Sequence, residues 1–353
     1  MESDVRANKL SEIISQAVKD KVFPGSVVGF IEKNRSTIIT SGSYSYDKNK
    51  PLKKDSIFDV ASITKTVPTA MLALKLIEEK KLSLGDPVDK YLPQFVGKWK
   101  SDVKVSHLLT QTVDYGFSLS SLKDNSAELI LAKIYDSDLK SPPGKNYSYT
   151  NSSSIILGKI IEVVADTSLD QLAHQKLFNP LLMRDTTFKL PKKNLERVVP
   201  TEIDPWRKEE IRGVVHDESA YVLSKKKYVG SAGLFSTVPD MLNILAMIFD
   251  GGMFNGKRIL DNSTINLMSR NHLEGIGEFS GLGWELNNPQ IDPKKRNNMI
   301  SKTGFTGCFI CCDIEKKIGF VMFSNYHYPA RKKDFKSLNK VRRACVDIVF
   351  ENE

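Results

Sequence analysis

Ser62 and Lys65 lie three residues apart directly before an apolar run, and this pair guides the interpretation of the whole sequence. The run, Val67–Ile77, has apolar residues at helical spacing and predicts a buried helix. Because three residues make just under one turn, the hydroxyl and the ammonium share one face at the start of that helix. A partly desolvated lysine can accept the proton of a neighbouring serine and so make it a nucleophile. An N-cap serine followed by a solvated lysine has the same spacing, so the pair alone leaves both interpretations open.

A second candidate segment follows a proline-glycine turn at residues 142–144 and contains Tyr149 and Asn151. A phenol close to a cation can be held partly as phenolate, which makes Tyr149 a candidate general base. The Asn151 amide can hold a lysine ammonium and can donate a hydrogen bond to a substrate carbonyl.

A third segment, Lys302-Thr303-Gly304, comes shortly before a strand-like run over residues 309–314. A glycine at such an edge usually marks a place where another group approaches the backbone closely, and Gly304 and Gly307 both fit. Lys302 supplies a positive charge at this edge and Thr303 supplies a hydroxyl.

In this order, Ser-x-x-Lys, Tyr-x-Asn and Lys-Thr-Gly resemble the serine β-lactamase and penicillin-binding-protein superfamily. The tyrosine motif, which replaces Ser-Asp-Asn, is similar to the branch that holds class C β-lactamases, D,D-peptidases and family VIII esterases. Further segments resemble that branch over nearly the whole chain: Leu82–Pro93, His107–Thr112, Gly213–Asp217, Ala232–Thr237 and Asn325–Pro329.

Three features depart from the pattern of that branch. The segment Thr110–Gly116 replaces the usual Thr-His-Thr-Ser-Gly-Leu, so a loop at the cleft and the substrate preference are expected to differ. Lys302 stands where many esterases of the branch carry histidine, which favours the lactamase and peptidase pattern. Pro68 lacks the N–H that would bond the Thr64 carbonyl, so we expect the nucleophile helix to be kinked or tightened there.

The resemblance implies an α/β fold of the α+β type, β-lactamase/transpeptidase-like, with an antiparallel sheet flanked by helices and a mostly helical insert. Residues 1–80 and 229–353 would form the sheet domain, residues 81–228 the insert, and the active site would lie in the cleft between them. The sequence pattern itself predicts two N-terminal strands and several helices. The strands are Ser26–Glu32 and Ser36–Ser41, and the helices are 155–165, 169–177, 239–249 and 336–350.

The mechanism that the resemblance implies is acyl transfer in two steps. Ser62 attacks a carbonyl, and Lys65 and Tyr149 share the acceptance of its proton; because coupled groups titrate as a unit, the base is not assigned to either. The backbone N–H groups of Ser62 and Phe305 would hold the oxyanion, and water would then release the acyl group. The predicted substrate-binding residues are Asn151, Lys302, Thr303, Gly304 and Phe305.

The predicted function is therefore a serine hydrolase of esters or amides, acting on a small-molecule or cell-wall-derived acyl substrate. An esterase or a D-amino-acid peptidase or esterase is favoured over a dedicated β-lactamase. The alternative is a non-catalytic penicillin-binding or sensor protein that is acylated without turnover. Lys302 is expected to bind a substrate carboxylate; it could instead support only the charges of Tyr149 and Lys65.

Composition excludes several other classes. The net charge of +9 comes from scattered lysines, and without a nucleic-acid-binding module we predict no nucleic-acid partner. No apolar run has the length of a membrane span, so the sequence as written is expected to be cytoplasmic, or to be extracellular or in the cell envelope if a leader or anchor was removed. The sequence does not indicate an oligomeric state.

Cysteine and histidine usage predicts no metal site, and the resemblance implies no cofactor. On a strand Cys311 and Cys312 would point to opposite faces, which disfavours a shared metal and favours buried free thiols. His107, His216 and His327 fall in family-like segments, where we expect them to hold loops by hydrogen bonds rather than to take part in chemistry.

Overall fold

The computed structural model describes residues 2–33, 35–47, 49–294, 296 and 299–351. Its α-helices are α1 (Glu2–Lys19), α2 (Met71–Glu78), α3 (Val105–Leu109), α4 (Ala127–Asp136), α5 (Asn151–Ala165), α6 (Leu169–Ala173), α7 (Glu218–Ser224), α8 (Val238–Phe249), α9 (Asn262–Ser269) and α10 (Lys336–Phe350). Its strands are β1 (Gly25–Glu32), β2 (Arg35–Gly42), β3 (Phe58–Asp59), β4 (Ile203–Asp204), β5 (Glu209–Glu210), β6 (Phe235–Ser236), β7 (Met253–Phe254), β8 (Lys257–Arg258), β9 (Glu285–Leu286), β10 (Met299–Thr303), β11 (Phe309–Asp313) and β12 (Ile318–Ser324).

The main sheet joins the two ends of the chain. Among the described residues, six strands pair antiparallel in the order β2-β1-β12-β11-β10-β9. Ser26 of β1 is opposite Ser324 of β12, so the N-terminal hairpin is continuous with the C-terminal strands. The two strands predicted in the first 41 residues are confirmed as β1 and β2. The fold is the helix-and-antiparallel-sheet architecture that the resemblance implied.

Helices cover both faces of this sheet. On one face α1 and α10 pack around a cluster that contains Leu10, Ile14 and Phe320. On the other face α8 packs on β1 and β12 as part of a larger cluster. Cys311 belongs to the first cluster and Cys312 to the second, so these cysteines point to opposite faces of β11, as predicted.

The middle of the chain is mostly helical. Residues 81–228 contain α3 to α7, and their described strands are the two-residue β4 and β5. Their apolar residues belong to the same large cluster as those of α2, for example Ile160 of α5 and Leu74 of α2. The division of the chain into a sheet domain and an insert stays a prediction. The predicted helices at 155–165, 239–249 and 336–350 are α5, α8 and α10; the one at 169–177 is α6 continued by a π-helical turn, His174–Phe178.

The segment after Ser62 is broken rather than one continuous helix. A 3-10 turn spans Ala61–Lys65, Val67 has extended angles (φ −114°, ψ 111°), and α2 begins only at Met71. Pro68 lies at this break, where its missing N–H removes one helical hydrogen bond. The expected kink is confirmed, although the structure makes it an interruption of the helix.

Finally, no helix within the described ranges combines the length and the apolar character needed to cross a bilayer.

Candidate active site

The predicted site residues meet at one cleft beside strand β10. The cleft has a volume of about 670 Å³, and Ser62, Tyr149, Thr303, Gly304 and Phe305 line it. Lys65 and Lys302 lie beneath it, around a much smaller cavity that Tyr149 also lines. Residues from three distant parts of the sequence are therefore brought together as expected, and Asn151 lies on the other side of Tyr149.

Lys65 is buried against Ser62. Its Nζ atom donates to the Ser62 Oγ atom at 2.9 Å and to the Ser231 carbonyl at 2.8 Å. Only 4% of Lys65 is exposed, so the solvated lysine of the alternative interpretation does not describe it. Desolvation lowers the pKa of its ammonium, with a smaller contribution in the same direction from Lys302. The lysine is thereby prepared to lose a proton close to the serine.

Asp59 fixes the turn that presents Ser62. One Asp59 carboxylate oxygen accepts a hydrogen bond from the N–H of Ala61 at 2.8 Å, and the other accepts from the N–H of His216 at 2.7 Å. Ala61 has a positive φ of 46°, an unfavourable conformation for alanine. The surrounding hydrogen bonds hold this strained residue directly before the serine, as is often found at functional sites.

Gln111 supports the segment that carries Tyr149. Its side-chain oxygen accepts from the N–H of Thr150 at 3.0 Å, and its carbonyl accepts from the N–H of Ser148 at 2.7 Å. Thr150 is also the N-cap of α5, where its hydroxyl accepts from the N–H of Ser152. The residue that replaces the family histidine thus holds both neighbours of Tyr149.

Tyr149 lies between two lysines. The Nζ atoms of Lys302 and Lys65 are 4.5 and 5.3 Å from the centre of its ring. Desolvation acts to raise the pKa of the Tyr149 phenol, but the positive charges of Lys302 and Lys65 outweigh it and hold that pKa below its ordinary value. With 45% of the residue exposed, the tyrosine remains accessible from the cleft.

Asn151 contacts an acid rather than a lysine. Its amide nitrogen donates to the Asp217 carboxylate at 2.9 Å and to the Ser219 hydroxyl at 3.5 Å. Asp217 also caps α7, through the N–H of Ala220. No hydrogen bond between Asn151 and Lys65 is present in the described part of the chain, and substrate binding by Asn151 stays a prediction.

Lys302 is buried and paired with an acid. It is 3% exposed, and its Nζ atom donates to the Glu285 Oε1 atom at 2.6 Å. Thr303 donates to the same oxygen at 3.4 Å. Desolvation disfavours the charged ammonium, but the Glu285 carboxylate, together with Tyr149 and Tyr147, more than offsets it and holds the pKa of Lys302 well above its ordinary value. The charge of Lys302 is therefore permanent and already paired.

The end of β10 touches the nucleophile segment. A Cβ atom on Gly304 would lie 2.4 Å from the Val60 carbonyl oxygen, so only glycine allows this approach without a shift of the backbone. Phe305 follows at the mouth of the cleft with 39% of its surface exposed, and its ring stacks on His327 at 4.4 Å.

A polar cluster that is buried except for Arg331 lies below Phe305. We call Glu202, His216, His327 and Arg331 the Glu202 cluster. The His216 Nε2 atom is 3.0 Å from Glu202, and Arg331 donates to both oxygens of that carboxylate, at 2.7 and 3.2 Å. The His327 Nδ1 atom accepts from the N–H of Lys332 at 3.0 Å. The contacts of His216 and His327 connect loops, as the sequence suggested.

Sequence reasoning missed Glu285. It precedes Lys302 by 17 positions and becomes its neighbour only because Ser301 pairs with Glu285 between β10 and β9. No local pattern indicates that pairing, because β9 is two residues long and a loop separates it from β10. Asp217, by contrast, lies inside the family-like segment Gly213–Asp217, and Asp59 lies three residues before Ser62. Among the described residues, no group of three or more His, Cys, Asp or Glu side chains is arranged to hold a metal ion.

Comparisons with known proteins agree on the family and the fold. The family model described as Beta-lactamase matches residues 10–342. A putative D-alanyl-D-alanine carboxypeptidase of Escherichia coli (strain K12) is 26% identical, with 91% of this chain and 82% of that protein covered. A similar protein of Salmonella typhi is also 26% identical, over 77% of this chain and 69% of that one.

Two solved structures show the shared fold. EstCE1, a hydrolase with promiscuous acyltransferase activity, superposes with a TM-score of 0.77 at 22% identity over 98% of each chain. The octameric penicillin-binding protein homologue from Pyrococcus abyssi superposes with a TM-score of 0.71 at 24% identity, over 90% of this chain and 73% of that one.

Proposed function

This chain belongs to the Beta-lactamase family, and we propose that it is a serine hydrolase that cleaves esters or amides through an acyl-enzyme on Ser62. The observation that carries the proposal is the 2.9 Å hydrogen bond from the buried Lys65 ammonium to the Ser62 hydroxyl. A lysine with a lowered pKa at this distance can accept the serine proton as the hydroxyl attacks.

Tyr149 completes the proton path. The phenol of Tyr149 also has a lowered pKa and interacts with both Ser62 and Lys65, so it too can accept the serine proton. Lys65 and Tyr149 act as a coupled pair during acylation, and Tyr149, which faces the cleft, activates the water that releases the acyl group. The proton of Ser62 is thus passed among side chains that already lie in contact.

The oxyanion would be held by the backbone N–H groups of Ser62 and Phe305. The N–H of Phe305 has no hydrogen-bond partner among the described residues, and Phe305 and Ser62 line the same cleft. Donors fixed in advance stabilise the developing charge, and losing one typically costs about 3 kcal/mol in the barrier. Asn151, Thr303 and Gly304 would complete the binding surface.

Esterase or peptidase-like activity is proposed ahead of a dedicated β-lactamase. The names of the relatives support this breadth, since they include a putative D-alanyl-D-alanine carboxypeptidase and a hydrolase with acyltransferase activity. The substrate would be a small-molecule or cell-wall-derived acyl compound.

The central test is covalent labelling of Ser62. A fluorophosphonate should add one label to the wild-type protein, detected by intact mass, and Ser62→Ala should abolish the labelling while circular dichroism shows an intact fold. Ser120→Ala is the matched control, because Ser120 is an exposed serine on the neighbouring loop and its loss should leave labelling unchanged. Undiminished labelling of Ser62→Ala would remove the proposal.

A second measurement separates an enzyme from a protein that is only acylated. The wild-type protein is incubated with a chromogenic ester and, separately, with a fluorescent penicillin. Repeated turnover of the ester is expected. A stable label without turnover of either compound would instead identify a penicillin-binding or sensor protein.

A further inference from the structure

We propose that Glu285 makes the Ser62 cleft select uncharged acyl donors over donors that carry a carboxylate. The inference rests on the serine-hydrolase function proposed above and specifies its substrate class. It assigns to Glu285 a role in specificity, and to Lys302 a role in positioning Tyr149 rather than in binding a substrate anion.

Glu285 is already paired with Lys302, the cation that would otherwise bind a substrate carboxylate. The Lys302 ammonium is 2.6 Å from the Glu285 Oε1 atom, and it lies 4.5 Å from the centre of the Tyr149 ring. The second Glu285 oxygen, Oε2, accepts from the Asn288 amide at 3.0 Å. Both oxygens are thus engaged, and an incoming carboxylate would have to displace Glu285 from a largely buried pair.

The charges that line the cleft point in the same direction. Among the described residues of the lining, the acidic ones are Glu278 and Glu285, and the basic one is Arg342. Arg342 is 2% exposed, and its two terminal nitrogens donate to Asn339 at 3.2 Å and to the Cys308 carbonyl at 2.9 Å. An uncharged ester does not depend on a cation in this lining, whereas a donor with a carboxylate would have to approach the Glu285 carboxylate.

Glu285 also acts on the proposed base. Its negative charge opposes the two lysines that lower the pKa of Tyr149. Removal of that charge should therefore shift the ionisation of Tyr149 to lower pH. This provides a signature that loss of a purely structural contact would not produce.

The test uses two donors with the same acyl chain, p-nitrophenyl methyl adipate, which is uncharged, and p-nitrophenyl hydrogen adipate, which carries a carboxylate. Wild-type protein should show a kcat/KM for the methyl ester that is at least ten-fold higher than for the acid. Glu285→Gln, which keeps the size and an acceptor for Lys302, should reduce this ratio about ten-fold. It should also move the acidic limb of kcat/KM for the methyl ester to lower pH.

Two further variants complete the design. Glu278→Gln is the control, because it removes an exposed charge from the same cleft without changing the partner of Lys302. Since exposed charges are screened, the ratio of kcat/KM for the two donors should change by less than about two-fold in this variant. Lys302→Ala should slow turnover of the methyl ester, which has no carboxylate for Lys302 to bind, since Lys302 is assigned to Tyr149. If Glu285→Gln does not fold, Glu285→Ser removes the charge in a smaller side chain and repeats the comparison.

The outcomes distinguish this inference from the proposed function. Wild-type protein that turns over neither donor and takes no fluorophosphonate label would overturn the serine-hydrolase proposal itself. An active wild type that uses the acid as well as the methyl ester would overturn only the charge selectivity. If the ratio of kcat/KM for the two donors were unchanged in a folded Glu285→Gln or Glu285→Ser variant, Glu285 would not be the cause of the selectivity.

Discussion

Lys302 influences both groups that are proposed to move the serine proton. Its charge lowers the pKa of Tyr149, and it contributes, after desolvation, to the lowered pKa of Lys65. Because Glu285 keeps Lys302 charged, this influence persists across the pH range in which the other two groups titrate. One buried, paired lysine thus prepares two neighbours to lose protons, without itself contacting the serine.

Tyr149→Phe tests the proton path at the level of one atom. The change keeps the ring and removes only the hydroxyl of a half-exposed residue, so the melting temperature should change little while turnover of a p-nitrophenyl ester falls by roughly 10²–10⁴-fold. Tyr147→Phe is the matched control on the same cleft, 38% exposed, and should retain most activity. Near wild-type turnover by Tyr149→Phe would leave Lys65, or another group, as the base.

The sequence identified the chemical groups of the site better than their partners. Ser62, Lys65, Tyr149 and Lys302 belong to short motifs whose residue types are tied to the chemistry, and the structure brings all four together. Glu285 could not be found, because strand pairing between distant segments leaves no local trace in one sequence. Burial, which decides whether a lysine is a mobile charge or a paired one, also depends on such distant contacts.

At the scale of elements, the site depends on close contact between two backbones. The 3-10 turn that carries Ser62 follows Val60, and the end of β10 passes Val60 so closely that position 304 has no room for a side chain. The N–H groups proposed for the oxyanion belong to these two segments. Their separation is therefore set by the packing of one strand end against one turn.

Gly304→Ala should disturb this contact. The added Cβ atom would meet the carbonyl oxygen and carbon of Val60 at 2.4 and 3.3 Å, and both are backbone atoms that cannot rotate away. We expect a loss of about 1–3 kcal/mol in the free energy of unfolding, measured with urea, together with slower acylation. Gly275→Ala is the control, since no atom lies within 4 Å of its added Cβ. Equal stability of the two variants would contradict the tight approach.

Elements with a strong local signal were predictable, and elements defined by distant pairing were not. The pattern gave β1, β2, α5, α8 and α10 within a few residues, because their periodicity and caps are local. The continuous helix expected directly after Ser62 is interrupted at Val67, which is extended next to Pro68, and regular α-helix begins only at Met71. The order of the six-stranded sheet was not predicted; the family resemblance implied only that both ends of the chain build one antiparallel sheet, which pairs residues nearly 300 positions apart.

At the scale of the molecule, the Glu202 cluster connects the middle of the chain with its C-terminal part. Glu202 and His216 belong to residues 81–228, and His327 and Arg331 to residues 229–353. Asp59 extends the connection, since it accepts a hydrogen bond from His216 and holds the turn before Ser62. Breaking the cluster should therefore affect the whole fold rather than one loop.

The cluster makes stability depend on pH. Burial acts to raise the pKa of Glu202, but the nearby His216 ring and the hydrogen bonds from Arg331 lower it from 4.5 to about 2. Its contribution, on the order of 3 kcal/mol, is present above pH 4.5 and is lost as the pH falls toward 2, because the unfolded state binds the proton first. Burial, assisted by His216, lowers the pKa of His327 from 6.5 to about 4. The stability of the folded state therefore also decreases as the pH falls from 6.5 to about 4, because the unfolded state binds this proton first.

Urea unfolding from pH 7 to pH 2 with wild type and Glu202→Gln measures this contribution. The variant should be less stable at pH 7, since it leaves Arg331 and His216 without their acid, and its stability should fall less steeply below pH 4.5. Glu209→Gln, at an exposed glutamate on β5, should follow the wild-type curve. If the free energy of unfolding fell equally steeply with pH in wild type and in Glu202→Gln, Glu202 would not be the source of the pH dependence.

The pairing of β1 with β12 also has a consequence for folding during translation. The Ser26 hydroxyl donates to the Phe323 carbonyl, a bond that spans 297 positions of the chain. At about 5–20 residues per second, β1 would leave the ribosome on the order of 15–60 seconds before its partner exists. During that time one edge of the β1–β2 hairpin has no strand beside it, and such edges promote aggregation. Newly made chains should therefore depend on chaperones until translation ends.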